Sequence, residues 1–293
     1  MYTIASTATI LALFLSETAS AQFGHPQFSP DGSQLTYFGW DLDSGTSEIF
    51  LMDMSSHEAI GVNLEFAWAA NPVWMPDGRS IVFVGSEVGM RGNWDIFEVS
   101  LDGRNASSVY ASDARTAHPH ISPDGAFLAI VEMGPHADIL LIELETGTST
   151  QLTNTPSQEF HAKWSYDGQW VAFDQTATDG GTSIELVSPA TGETRTLVEA
   201  AADRRVGSPA PTPAGSWLYS VQGPGGSALR MVDDQNDVLV FDAPAGHVVS
   251  ASSWRPGTNE VAITLSSIDD NGDSWVGIVL LDTSTGALNW LAR

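Results

Sequence analysis

From residue 25 onward the chain is a succession of short runs in which apolar and polar positions alternate, each run closed by turn residues. Alternation with period two places successive side chains on opposite faces of a strand. Leu35 with Tyr37, Ile81 with Phe83, Leu128 with Ile130, Val171 with Phe173, Trp217 with Tyr219 and Val261 with Ile263 mark one set of such strands. A second set follows each of these after a polar loop, as in Glu48-Ile49-Phe50-Leu51-Met52 and Asp138-Ile139-Leu140-Leu141-Ile142. Outside the N-terminus no long stretch repeats apolar residues at helical spacing, so the pattern predicts an all-β protein.

The strands recur in register with a turn motif. Its copies read His25-Pro-Gln-Phe-Ser-Pro30-Asp-Gly, Asn71-Pro-Val-Trp-Met-Pro76-Asp-Gly, His118-Pro-His-Ile-Ser-Pro123-Asp-Gly and His161-Ala-Lys-Trp-Ser-Tyr166-Asp-Gly. Two weaker copies are Ser208-Pro-Ala-Pro-Thr-Pro213-Ala-Gly and Ala251-Ser-Ser-Trp-Arg-Pro256-Gly-Thr. Proline fixes φ at the first central turn position, and Asp and Gly accept the geometry that follows. Successive copies are 46, 47, 43, 47 and 43 residues apart, a period that points to a propeller with one four-stranded sheet per repeat. The expected fold is therefore a six-bladed β-propeller of antiparallel blades starting near residues 25, 71, 118, 161, 208 and 251. No blade borrows a strand from the other end of the chain. Ring closure then rests on side chains between blades 1 and 6, with Phe28, Trp254 and Trp290 as contributors.

The repeats resemble those of the TolB-type propeller family, whose units carry a Pro-x-Trp-Ser-Pro-Asp-Gly strand and turn. The similarity runs over residues 25–293 and is sharpest in the first four copies. It implies a propeller that binds protein or a small ligand. TolB itself carries an α/β domain ahead of its propeller, and the segment before His25 is too short to hold one, so a stand-alone propeller is expected. Similar propellers form the lid of prolyl-oligopeptidase-like peptidases, whose Gly-x-Ser-x-Gly nucleophile elbow has no counterpart in this sequence.

Residues 4–15 form an apolar run that ends at Ala19-Ser20-Ala21, a small-x-small site. This predicts a signal peptide over residues 1–21 and one mature domain over 22–293, periplasmic or secreted, with no membrane insertion after cleavage. The absence of cysteine removes disulfides, thiolate metal sites and lipoprotein anchoring. A formal net charge of -25 disfavours nucleic acid and anionic lipid as partners. A protein or small-molecule ligand, and a monomeric state, are expected instead.

Strand alternation divides each repeat's first strand into two faces. One is apolar and packs between blades: Pro26/Phe28, Pro72/Trp74, Pro119/Ile121, Ala162/Trp164, Pro209/Pro211 and Ser252/Trp254. The other lines the axial channel: His25/Gln27, Asn71/Val73, His118/His120, His161/Lys163, Ser208/Ala210 and Ala251/Ser253. His25, Asn71, His118, His120, His161 and Lys163 are thus the candidate ligand-binding residues of an axial funnel. Imidazole can bind metal, transfer protons or simply tie one blade to the backbone of the next. The His-x-His pair resembles the metal-binding segment of oligogalacturonate lyases. That resemblance implies a divalent-metal site at His118 and His120, with Asn71 where the family offers His, and a metal-dependent enzyme acting on acidic sugars. His161 is a possible third ligand. No residue is assigned a catalytic role, and the reading preferred is a binding module without a cofactor. Asp41-x-Asp43 and the acidic run 269–273 have clustered oxygen ligands but lack a complete calcium loop, and read as solvated turns. Asn105-Ala106-Ser107 matches a glycosylation acceptor.

Overall fold

The computed structural model describes residues 21–62, 64–101, 106–268 and 274–292. The expected signal peptide lies outside the described residues apart from Ala21, as do the acidic run 269–273 and Asn105. The described residues hold 24 strands and no helix. Blade 1 comprises β1 (Ala21–Phe28), β2 (Gln34–Asp41), β3 (Thr46–Asp53) and β4 (Ala59–Gly61), and blade 2 comprises β5 (Trp68–Trp74), β6 (Ser80–Ser86), β7 (Asp95–Ser100) and β8 (Ala106–Tyr110). Blade 3 is β9 (Arg115–Ile121), β10 (Phe127–Met133), β11 (Ala137–Glu143) and β12 (Ser149–Gln151). Blade 4 is β13 (Gln158–Trp164), β14 (Val171–Thr176), β15 (Thr182–Val187) and β16 (Thr194–Glu199). Blade 5 is β17 (Arg205–Pro211), β18 (Trp217–Gly223), β19 (Gly226–Val232) and β20 (Asp237–Asp242), and blade 6 is β21 (His247–Trp254), β22 (Glu260–Ile268), β23 (Ser274–Asp282) and β24 (Leu288–Ala292). Every sheet is antiparallel and pairs its four strands in chain order, so the fold is a six-bladed β-propeller without strand exchange.

The turn motif closes each first hairpin by the same chemistry. In blade 1 the Gly32 amide donates to the Ser29 carbonyl at 2.8 Å with Gly32 at φ 71°. The Asp31 carboxylate accepts from the Ser29 hydroxyl and from the Ser33 amide, and these bonds hold its pKa down at about 2. Gly78, Gly125, Gly168 and Gly215 repeat the positive φ and the same amide-to-carbonyl bond. Only glycine takes this backbone without strain, which is why the motif ends on it.

Packing between blades is apolar. The cores run along the blade interfaces, as in the cluster of Val82, Val84, Ile96, Leu128, Ile130 and Ile142 between blades 2 and 3. Ring closure is a cluster of Phe23, Phe28, Leu35, Tyr37 and Met52 from blade 1 with Ala262, Ile278 and Leu280 from blade 6. Arg255 adds a hydrogen bond to the Gly32 carbonyl at 3.0 Å, and its guanidinium lies over the Phe28 ring. Phe28 thus closes the ring as expected, and the two tryptophans do not. Trp254 packs against the blade 5–6 cluster, and Trp290 is 43% exposed and stacks edge-on against Trp275. Both sit on blade 6 faces directed away from blade 1.

A feature that alternation could not show is a bulge in each innermost strand. Pairing slips between Gly24 and Gln27, Ala70 and Val73, Phe160 and Lys163, Gly207 and Ala210, and at equivalent points in blades 3 and 6. At the bulge His25, Asn71, His118, His161 and Ser208 all adopt φ between 50° and 55°. Side chains resume their alternation after it, one face packing on the preceding blade, as Trp74 does on blade 1, and the other meeting the next, as Val73 does on blade 3.

Candidate functional site

The innermost strands bring residues of blades 1, 2, 3 and 4 to one narrow point on the axis. A core cavity of about 20 Å³ is lined by His25, Gln27, Asn71, Val73, His118, His161 and Lys163, together with Pro72 and Pro119. The rings of His25 and His118 lie 5.6 Å apart, His25 and His161 6.3 Å, and His118 and His161 4.3 Å, with interplanar angles of 21–32°. Blades 1 and 3 therefore meet across the axis, although they are not neighbours in the ring. His120 faces the opposite mouth, beside Trp74, Trp164 and Trp254. Of the other positions expected on the channel face, Val73 and Ala210 are buried in the inter-blade clusters.

The hydrogen bonds assign the imidazole protons. The His161 amide donates to His118 Nδ1 at 3.4 Å, and the Trp164 amide donates to His120 Nδ1 at 3.1 Å. Both bonds run from blade 4 to blade 3 and tie the blades together. Burial pushes both imidazoles well below the usual histidine range; the charges of His161, His25 and Lys163 add to this at His118, and that of Lys163 at His120. A neutral imidazole whose Nδ1 accepts a hydrogen bond carries its proton on Nε2. His118 and His120 thus offer N–H donors. A metal ion needs a free nitrogen lone pair, which His118 and His120 in this tautomer do not present at Nε2. His25 is held neutral as well, its pKa lowered to about 3 by burial and by the charges of His161 and Lys163.

Blade 6 uses the same device on blade 1, where Ser253 Oγ accepts from the Phe28 amide at 3.1 Å. Asp174 on β14 serves blade 5, accepting from the Ser208 amide at 3.3 Å while it pairs with His161 Nδ1 at 2.7 Å. Sequence reading missed Asp174, because it lies on a second strand rather than in the repeated motif.

Lys163 is the chain's only lysine. Among the described residues no carboxylate lies within ion-pairing distance of it. Burial lowers its pKa to about 8. It reaches a mouth of about 210 Å³ with Phe23, Phe38, Trp40, Pro209 and Val276 on its walls. The aromatic wall was not expected, since Trp40 closes β2 and lies outside the repeated strand. The Trp40 indole nitrogen is buried with no hydrogen-bond partner among the described residues, and so is that of Trp164 at the other mouth. Asp41, read from sequence as part of a solvated turn, caps that turn by accepting from the Asp43 amide and the Ser44 hydroxyl.

The fold and this axial channel define a small β-propeller with a polar, histidine-lined core. The TolB beta propeller domain model matches residues 12–135. The chain is 26% identical over 206 residues to the uncharacterized peptidase YuxL of Bacillus subtilis, covering 69% of this chain and 29% of that protein. It is 28% identical over 123 residues to a TolB homolog of Chlorobium luteolum, covering 42% of this chain and 27% of that protein. It spans less than a third of either relative. Its structure matches that of a putative TolB from Agrobacterium tumefaciens with a TM-score of 0.67 at 17% identity, over 87% of this chain and 89% of that one. Residues 12–135 thus match TolB-type propeller repeats, and the rest of the described chain continues the same propeller fold.

Proposed function

We propose that this propeller is an exported, monomeric binding module that receives a protein segment or small ligand in its axial channel. The observation that supports this is the composition of the channel core. Three of the chain's seven histidines and its single lysine line one cavity of about 20 Å³, in a protein of net charge -25. A propeller suits the role because rigid blades hold such groups at fixed positions while the loops at the mouths vary. Among the described residues no helix is long and apolar enough to cross a membrane.

The test is a thermal-shift ligand screen on the full chain and on Gln27→Trp, whose indole would fill the core from an extended strand position. Compounds that raise the melting temperature of the wild-type and not of the variant, at unchanged far-UV circular dichroism, support the reading. Compounds that stabilise both equally bind elsewhere and would remove it. The rival, a metal-dependent enzyme acting on acidic sugars, requires stoichiometric metal that is lost in His118→Ala. Elemental analysis of untagged protein decides between them.

A further inference from the structure

The channel core joins a hydrogen-bond-donating end to an aromatic mouth, and that combination specifies a ligand. At the inner end stand the Lys163 ammonium, with no counter-ion among the described residues, and the Nε2–H of His118, whose Nδ1 is engaged by the His161 amide. Groups that donate and cannot accept select an anion or a carbonyl oxygen. A single cation balances a single negative charge. A dianion such as phosphate would leave a surplus charge in a buried site within an acidic protein. Just outside, the space of about 210 Å³ walled by Phe23, Phe38, Trp40, Pro209 and Val276 is large enough for a ring, since a cavity of about 150 Å³ holds benzene.

We propose that the channel binds a monocarboxylate with an apolar body, its carboxylate on Lys163 and His118 and its body against Phe38 and Trp40. This rests on the channel being the binding site and adds the chemistry of what it binds. Two sources share that chemistry, a free arylalkanoic acid and the C-terminal residue of a peptide. The charged and titratable groups facing Lys163 are His25, His118, His120 and His161, with Asp174 behind His161. His25, His118 and His120 stay neutral near pH 7, and Lys163 is the group whose charge is lost as pH rises through 8. Binding is therefore strongest below pH 8 and weakens by about tenfold per pH unit above it.

The experiment is calorimetric titration of the full chain with phenylacetate and phenylacetamide, and with Gly-Gly-Phe carrying a free or amidated C-terminus. The expected result is binding of at least one free acid about tenfold or more tighter than its amide, because a charge-assisted pair contributes a factor of that size. Lys163→Met should abolish the preference and Lys163→Arg should retain part of it. The acid that binds, free or peptide, identifies the source. Equal binding of acid and amide, an unchanged preference in Lys163→Met, or no binding of any of the four probes overturns the inference and leaves the channel reading standing. Undiminished acid binding by Gln27→Trp would instead overturn the channel reading as well.

Discussion

The two faces of the innermost strands obey different rules. On the inter-blade face Phe28, Trp74, Ile121 and Trp164 are all buried against the neighbouring blade, and Ala162 is completely so. Blade after blade offers an apolar group there because each interface is a core. On the opposite face, which meets the next blade beside the channel, the same strands carry Gln27, Val73, His120, Lys163, Ala210 and Ser253 at one equivalent position. Glutamine, valine, alanine and serine fill it without disturbing the blade, so the architecture makes no demand for a cation. The bulge position is intermediate. Histidine and asparagine tolerate left-handed backbone better than most residues, which accounts for His25, Asn71, His118 and His161 as backbone choices. Ser208 holds the same φ, so the imidazole itself is not required. Lys163 is the side chain that neither face explains.

The contrast is open to mutation, and the largest effect falls on the inter-blade face. Trp164→Ala should cost about 3–5 kcal/mol in urea denaturation, the usual range for emptying a buried aromatic site. Lys163→Met, one residue away, should move stability in the opposite direction. Its folded pKa of about 8 lies below the ordinary 10.5, so the charged form is penalised in the folded state below pH 8. Removing the charge should therefore raise stability at pH 7, by about 2 kcal/mol after allowance for solvent in the channel. The wild-type should gain that stability as pH rises from 8 to 10.5, and the variant should show no such rise. If Lys163→Met destabilises the fold, the lysine is a structural residue.

His120→Ala and Ser253→Ala should each cost about 1–2 kcal/mol, because each leaves a buried amide of the next blade without its acceptor. A markedly smaller loss for His120→Ala would mean that its imidazole serves the mouth rather than the Trp164 amide. The smallest effect is expected for His25→Asn, within about 0.5 kcal/mol, since asparagine accepts the same backbone. A loss several times larger would show that the ring contacts with His118 and Phe38 stabilise the fold.

Much of this was legible before any coordinates. The period of the Pro-Asp-Gly turn gives the blade count, and alternation gives the inter-blade face residue by residue, because both follow from local backbone rules. The convergence of His25 with His118 was not legible, since it depends on how tightly the inner strands close around the axis. The bulge also escaped notice, because a His-Pro pair reads as ordinary strand when only polarity is scored. The closing role given to Trp254 and Trp290 failed for a related reason: aromatic size signals burial, and only the tertiary structure says against which blade. Asp174, Phe38 and Trp40 lie outside the repeated strand, so the motif carried no signal for their place beside the channel.

Because the chain contains one lysine, labelling lysine with ¹³C at Cε yields a single side-chain resonance, that of Lys163. Its pH titration by NMR, with and without phenylacetate, reads the buried charge directly. The account predicts a midpoint near 8 in the free protein that moves upward when the carboxylate is present, because an ion pair favours the charged form. A midpoint near 10.5, or one that phenylacetate leaves unmoved, would contradict it.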